Sequence, residues 1–153
     1  MTKAANLAAF AAGPAFSVFL SGTQSSISNG VATKVTLNSE QFDTNNNFDS
    51  VTNYRFTPTV AGYYLISGAV YSNAATINPT DCHAFLYKNG SQYVQTRMGS
   101  AATFTTGSPS FSVVVSMNGS TDYVELYGML QGATGGQFLA SGTYMTGALV
   151  RAA

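Results

Sequence analysis

The feature of this sequence that most limits its fold is a succession of short segments in which apolar and polar residues alternate. After Pro14, Gly, Asn, Pro and Ser separate these segments, and the spacing typical of an amphipathic helix is nearly absent. The predicted strands are 15–20, 32–37, 53–57, 62–71, 83–88, 92–97, 110–117, 123–130 and 143–150. Eight to ten short strands without a long helix predict an all-β sandwich or jelly roll.

Asn-Gly pairs mark the turns between several of these strands, because both residues tolerate the positive φ of a tight hairpin. Asn89-Gly90 predicts a hairpin over residues 85–94, and Asn118-Gly119 predicts a second one over residues 113–126. The small-residue tracts 99–109 and 132–142 are predicted to be loops within one domain.

The charge content is low for a soluble domain. Charged residues make up 8% of the 153 residues, and six basic side chains balance six acidic ones. A neutral chain has no electrostatic attraction to nucleic acid or to an anionic membrane, so neither is an expected partner. A surface with so few charges is tolerated best when a partner covers much of it, which favours a permanent assembly.

The segment before the first strand differs from the rest of the chain. Residues 1–14 are mostly small and apolar and end at Gly13-Pro14, so we predict an N-terminal arm that docks on a neighbour, followed by one domain over residues 15–153. Its apolar run, residues 7–12, is short for a secretion signal. No run reaches the 18 or so apolar residues of a membrane-spanning helix, so membrane insertion is not expected.

Residue types that perform catalysis are scarce. Cys82 and His83 are the single cysteine and histidine, and neighbours in a strand point to opposite faces, which opposes a nucleophile–base pair. We expect Cys82 to be a buried apolar residue and His83 to lie at a strand edge. Asp43 and Asp49 lie in an Asn-rich loop that offers oxygens to calcium, but without an EF-hand spacing. The expectation is therefore no cofactor and no enzymatic activity.

A spaced set of residues resembles the signature of the C1q and tumour-necrosis-factor-like superfamily. The set is Leu37, Asp43, Phe48, Phe56, Gly62, Tyr64, Ile66 and Gly68, with one inserted residue and three substitutions relative to the usual pattern. Segments 15–17, 85–90, 122–126 and 145–149 resemble other strands of that family in the same order. The resemblance spans residues 15–150 and implies an antiparallel jelly-roll sandwich of about ten strands that forms trimers.

Beside the resemblance, the pattern of apolar residues predicts a core, and the resemblance implies where copies of the chain contact one another. The residues expected in the core are Phe16, Phe56, Tyr64, Ile66, Leu86 and Leu126. Members of the family pack three such sheets around a threefold axis. Tyr63, Leu65, Tyr71 and Tyr144 are therefore predicted at the trimer interface; the alternative is that their own subunit covers them.

The low-charge, Ser/Thr/Asn/Gly-rich composition resembles C1q-like proteins of bacteriophage virions. The first hypothesis is accordingly a trimeric capsid cement or decoration protein that contacts the major capsid protein or another virion component. A second is a tail-fibre-associated protein that binds a host-surface glycan through loop aromatics such as Phe104 and Phe138. A third is an extracellular lectin-type binder. A virion location, on the capsid surface or a tail appendage, follows from the first two.

Overall fold

The computed structural model describes residues 13–153, so most of the predicted arm, residues 1–14, lies outside the described residues. Within them the fold is all-β, with a single three-residue 3₁₀ turn at Ala140–Gly142. The strands are β1 Ala15–Phe19, β2 Gln24–Ile27, β3 Thr33–Lys34, β4 Ser39–Asp43, β5 Phe48–Asp49, β6 Arg55–Phe56, β7 Gly62–Ala69, β8 Ser72–Ile77, β9 Asp81–Lys88, β10 Ser91–Gly99, β11 Thr106–Gly107, β12 Ser110–Met117, β13 Val124–Gln131, β14 Thr134–Phe138 and β15 Tyr144–Ala152.

These strands form three antiparallel sheets. The first has the order β12-β7-β15-β1-β4, and the second has the order β10-β9-β13-β6-β5, with β3 also paired to β13. The third is smaller, with the order β11-β8-β14-β2. The first two sheets pack face to face as a sandwich, and the predicted jelly-roll class is confirmed.

The core lies between the first two sheets, where period-two alternation turns one side chain of each pair inward. The six residues expected in the core are all fully buried. Phe16 of β1 stacks on Phe56 of β6 with 4.2 Å between ring centroids, and Phe56 meets Tyr64 of β7 edge-on at 5.6 Å. Burial of each such ring away from water stabilises the fold by about 1.5–3 kcal/mol. Burial raises the pKa of Tyr64 to about 12, and its hydroxyl donates to the Val60 carbonyl.

The two predicted Asn-Gly hairpins have different outcomes. β9 and β10 pair across Asn89-Gly90, where φ is 52° and 76°, so this hairpin is confirmed. The hairpin over residues 113–126 is wrong, because β12 pairs with β7 in the first sheet while β13 pairs with β9 in the second. Asn118-Gly119 instead forms a turn at which the chain crosses between the sheets. The Asn118 Oδ1 atom accepts hydrogen bonds from the backbone N–H groups of Ser120, Thr121 and Asp122.

The third sheet lies mostly where the sequence predicts loops or no strand. β14 occupies the tract predicted as the loop 132–142, and β8 follows β7 after a break at Val70 and Tyr71. Phe138 at the end of β14 is fully buried, and a Cβ built on Gly128 would meet its ring. The third sheet therefore closes one end of the core with an aromatic side chain.

Candidate functional site

The outward side of the first sheet carries the largest group of exposed apolar side chains that one sheet collects. Because β7 alternates, Tyr63 and Leu65 are 46% and 43% exposed while Tyr64 and Ile66 are buried. Val114 of β12 and Tyr144 and Val150 of β15 are also exposed. We call these five residues the first-sheet face. Among the described residues, no other element packs over these side chains in the way that the two sheets enclose the core.

Cross-strand pairing places small, uncharged residues beside these side chains. Leu65 lies opposite Val114 on one side and Ala148 on the other, and Ala148 lies opposite Ala15. One step along the strands, the Ser67 and Ser112 hydroxyls are 2.8 Å apart and hydrogen-bonded. The face is therefore built from short side chains on adjacent strands, with Tyr63, Leu65 and Val114 side by side.

Charge is nearly absent from this sheet. Of the twelve charged residues in the chain, its five strands hold Glu40 and Asp43 on the edge strand β4 and Arg151 near the end of β15. Elsewhere, Lys34, Lys88 and Arg97 are each paired with a carboxylate. The first-sheet face thus combines exposed apolar area with little charge, which is the composition of a surface that another protein surface covers.

The residues predicted at the trimer interface lie in two different environments. Tyr63, Leu65 and Tyr144 are on the first-sheet face. Tyr71 does not continue their row, because Ala69 and Val70 are both buried and the alternation ends there. Tyr71 is half-buried beside Gly142, and its backbone N–H donates to the Thr143 Oγ1 atom. Whether the face meets other copies stays a prediction.

Sequence reasoning missed Val114 and Val150, two members of the face. Val114 is the middle residue of three consecutive valines, so the apolar pattern alone did not show which one points outward. The pairing of Val114 with Leu65 decides it. Knowledge of which β7 residue pairs with which β12 residue would have identified Val114, but this register cannot be deduced from the sequence of one strand alone.

The predicted aromatic recognition loop is wrong for Phe138, which is a core residue of β14 rather than an exposed one. Its ring fits against Gly128 and Val70, and the space exists because Gly128 has no side chain. Phe104 is half-buried and packs on the edge of the core near Gly107. The two rings therefore do not form an exposed platform.

Cys82 and His83 lie on β9 with their side chains on opposite sides of the second sheet. Cys82 is in the core, and burial raises the pKa of its thiol. His83 lies on the outer side, where its ring stacks on Phe85 with 5.6 Å between centroids. Burial, reinforced by Arg97 and opposed by Asp81, lowers the pKa of His83, so the imidazole is neutral near pH 7.

The predicted strand-edge position of His83 is wrong, since β9 lies between β10 and β13. Its Nδ1 atom is 2.7 Å from the Gln95 amide nitrogen, and its Nε2 atom is buried without a hydrogen-bond partner among residues 13–153. Beside it, the Arg97 Nε atom donates to the Asp81 carboxylate at 2.6 Å. Cys82 and His83 do not come together as a nucleophile and a base.

The acidic side chains of the Asn-rich loop are turned toward their own backbone. The Asp43 carboxylate accepts the Phe48 N–H at 2.6 Å, and the Asp49 carboxylate accepts the N–H groups of Val51 and Thr52. These backbone hydrogen bonds lower the pKa of Asp49 to about 2, so it is ionised at neutral pH. Within the described part of the chain, no three His, Cys, Asp or Glu residues lie close enough together to hold a metal ion.

A concavity of about 580 Å³ lies beside this loop, where the edge strand β4 of the first sheet approaches β6 and the edge strand β5 of the second. We call it the edge pocket. Its wall includes Glu40, Asn46, Asp49, Ser50, Arg55 and Thr57. Of its apolar lining residues, Phe48 is buried in the core, whereas Val51 is 79% exposed.

Solved structures with a similar fold include three jelly-roll domains. The globular domain of zebrafish complement 1qA has a TM-score of 0.68 at 18% identity, covering 92% of this chain and 99% of that one. Murine APRIL has a TM-score of 0.67 at 10% identity, covering 90% and 99%, and Eiger TNF from S. frugiperda has 0.63 at 9%, covering 92% and 93%. The chain has a C1q/TNF-type jelly-roll fold. No protein-family model and no curated protein sequence matches it.

The C1q/TNF-type fold confirms the resemblance at the level of architecture, while identities of 9–18% show the fold alone. The signature positions now have structural meanings: Leu37, Phe48, Phe56, Tyr64 and Ile66 are core residues of the sandwich. Among residues 13–153, no helix is long and apolar enough to span a membrane.

Proposed function

We propose that this chain is a homotrimeric, non-catalytic structural protein of a bacteriophage virion, whose trimers decorate and stabilise the capsid surface. The observation that carries the trimer is the first-sheet face. Tyr63, Leu65 and Val114 lie together on it, each at least 43% exposed and without a charged residue between them. Exposed apolar area of this kind is stabilised when identical surfaces cover one another in a closed assembly.

The threefold arrangement comes from the resemblance to C1q and TNF-type proteins, which pack three such sheets around an axis. In that arrangement Leu65 and Tyr63 of each copy approach the axis, and Arg151, the charge nearest to them in the sheet pairing, lies opposite Tyr63. Covering the face in each of three copies removes apolar area from water, and each Å² of apolar area removed is worth about 25 cal/mol of stabilisation. Formation of the trimer would thus add to the stability of each subunit.

A non-catalytic role is supported by the surroundings of Cys82 and His83. The thiol is in the core with a raised pKa, and the imidazole is on the other side of the sheet, only 6% exposed and neutral. A thiol nucleophile needs thiolate character and an adjacent base. Neither condition is met at this pair.

The virion assignment is supported by composition. With 8% charged residues in the chain, the solubility of the surface depends on Ser, Thr, Asn and Gln. Such a surface suits a protein that is permanently attached to a protein shell more than one that stays free in solution. The partner in this proposal is the major capsid protein or another virion component. The proposed attachment is segment 1–12, whose small apolar residues suit insertion between shell subunits.

Purified phage particles produced from a genome that encodes this chain test the virion assignment. Quantitative mass spectrometry of purified particles, together with a particle reconstruction, should find the chain in copy numbers comparable with the major capsid protein and at threefold positions of the head. Particles that lack it should lose integrity at lower temperature. A few copies on the tail would overturn decoration and favour a tail-fibre-associated receptor-binding protein; absence from particles would favour an extracellular lectin-type binder.

A further inference from the structure

The edge pocket has the composition of a binding site rather than of a packing defect. It lies at the edge of the sandwich where β4 and β5 end their sheets, so neither side of it is covered by another strand. Its volume of about 580 Å³ is in the range of small-molecule sites. Most sites of this size are lined by apolar side chains, whereas carboxylate, amide, hydroxyl and guanidinium groups outnumber the apolar side chains of this one.

Part of the pocket wall is held rigid by hydrogen bonds within the chain. Asn47 is 7% exposed; its amide nitrogen donates to the Asn45 carbonyl, and its Oδ1 atom accepts the Thr59 N–H. Asp49 is fixed by two backbone N–H groups and by the Asn53 amide at 2.6 Å. These contacts fix the positions of Asn47 and Asp49 before any ligand arrives, and a wall that is already ordered lowers the entropic cost of binding.

Other wall groups keep their hydrogen-bonding capacity. Within residues 13–153, the side chains of Glu40, Asn46 and Arg55 form no hydrogen bond and no ion pair. The Arg55 guanidinium lies over the Tyr123 ring, 4.3 Å from its centroid, so stacking orients the group while its N–H donors stay available. Arg55 and Asp49 are directly opposite in the β5–β6 ladder but do not form an ion pair.

We propose that the edge pocket binds a neutral polyhydroxylated ligand, the sugar residue of a glycan. A sugar hydroxyl donates and accepts at once, and the pocket offers acceptors on Glu40 and donors on Arg55, with an amide on Asn46 that does both. Two carboxylates against one guanidinium disfavour an anionic ligand, and the polar groups that surround the single exposed apolar lining residue, Val51, disfavour a hydrophobic one. The site stands independently of the trimer and of capsid decoration.

Nuclear magnetic resonance titration of the full-length ¹⁵N-labelled chain tests the proposal. The probes are the methyl glycosides of glucose, galactose, mannose, N-acetylglucosamine and rhamnose, with methyl glucuronide and inorganic phosphate as anionic comparisons. At least one neutral glycoside should produce saturable shifts confined to amides of residues 40 and 46–59, with a Kd on the order of millimolar. Absence of saturable shifts with all five, or shifts centred elsewhere, would overturn the proposal.

Variants then assign the binding to the named groups. Glu40→Gln keeps the side-chain length while removing the charge, and Arg55→Gln replaces the guanidinium by a shorter neutral amide. Each should weaken binding about tenfold or more, since each removes a hydrogen bond to a charged group. Arg151→Gln removes an arginine outside the pocket and is the matched control, with unchanged Kd. An amide spectrum that stays dispersed verifies folding of every variant. Equal Kd values in all three variants, or tighter binding of glucuronide or phosphate, would contradict a neutral sugar site.

Because this titration uses the free chain, its failure leaves the particle measurement above unaffected. Copy number and position in particles report on decoration alone. A sugar site in a chain absent from capsids would support the lectin-type alternative, and a chain on capsids without sugar binding would support decoration and overturn the edge-pocket proposal.

Discussion

The role of a single residue in this chain depends on whether its side chain faces the core or solvent. Phe138 is an example of a core residue that the sequence makes look like an exposed one. In sequence it follows a Gly-rich tract, a position typical of a loop aromatic. In the structure it is fully buried against Gly128 and Val70 at the end of the sandwich. Its contribution is therefore to stability and not to recognition.

Replacement of Phe138 by Ala should destabilise the fold by about 3–5 kcal/mol, the cost of a large cavity in a packed core. Urea unfolding at fixed protein concentration measures the loss. Tyr93→Ala is the control, because Tyr93 is 48% exposed and its removal should cost much less. Equal free energies of unfolding in the two variants would show that Phe138 is not a core residue.

The residues of the core could be predicted from sequence because period-two alternation marks them directly, as for Tyr64 and Ile66 in β7. The edge pocket could not, since Glu40 and Arg55 come from different sheets and only the crossing of the chain between sheets brings them together. Glu40 and Arg55 carry no local pattern that distinguishes them from other surface charges.

At the scale of elements, the main strands were predictable and the pairing between them was only partly so. Asn89-Gly90 joins two strands of one sheet, and Asn118-Gly119 joins strands of different sheets, although the two dipeptides are identical. What differs is the tertiary packing around each turn.

The strands of the third sheet were not predicted, because small and polar residues dominate them. As a result, β8 and β14 lack the alternation of apolar and polar residues that marks a strand.

The crossing turn at Gly119 gives a prediction about this element. Gly119 has φ of 72°, and a Cβ there would overlap the backbone of Val60 and Ala61. Gly30 has a similar φ of 69° but open space around it. Gly30→Ala should therefore cost about 1–2 kcal/mol for the left-handed conformation alone, while Gly119→Ala should cost more, because the crossing turn must also move.

Thermal and urea unfolding of the two variants make this comparison. The backbone strain is matched, so the difference in free energy of unfolding isolates the packing of the crossing turn against residues 60 and 61. If Gly30→Ala proved as destabilising as Gly119→Ala, the close approach between this turn and the start of β7 would not exist in solution.

For the whole molecule, the low charge and the first-sheet face both support the proposal that the chain associates with itself. The chain has a net charge of zero, and the ion-paired cations Lys34, Lys88 and Arg97 belong to strands of the second sheet. Little electrostatic repulsion opposes the approach of a second copy to that face. Composition by itself favours an assembly, but only the alternation in β7 and its pairing with β12 define the surface.

A charge placed on the first-sheet face should prevent assembly. Leu65→Glu sets one carboxylate per copy on the side proposed to meet the threefold axis, and desolvating like charges there is costly. Val31→Glu makes the same change at a residue that is 52% exposed and outside the first sheet. The first variant should be monomeric with an unchanged fold by circular dichroism, and the second should assemble like the unaltered chain.

The most direct measurement is therefore the molar mass in solution, by light scattering coupled to size-exclusion chromatography. Three copies of a 16.0 kDa chain should give a single species of three times that mass over a range of concentrations. Leu65→Glu should shift it to the mass of one chain and Val31→Glu should not. A mass of 16.0 kDa for the unaltered chain, or a trimer that Leu65→Glu leaves intact, would contradict assembly through the first-sheet face.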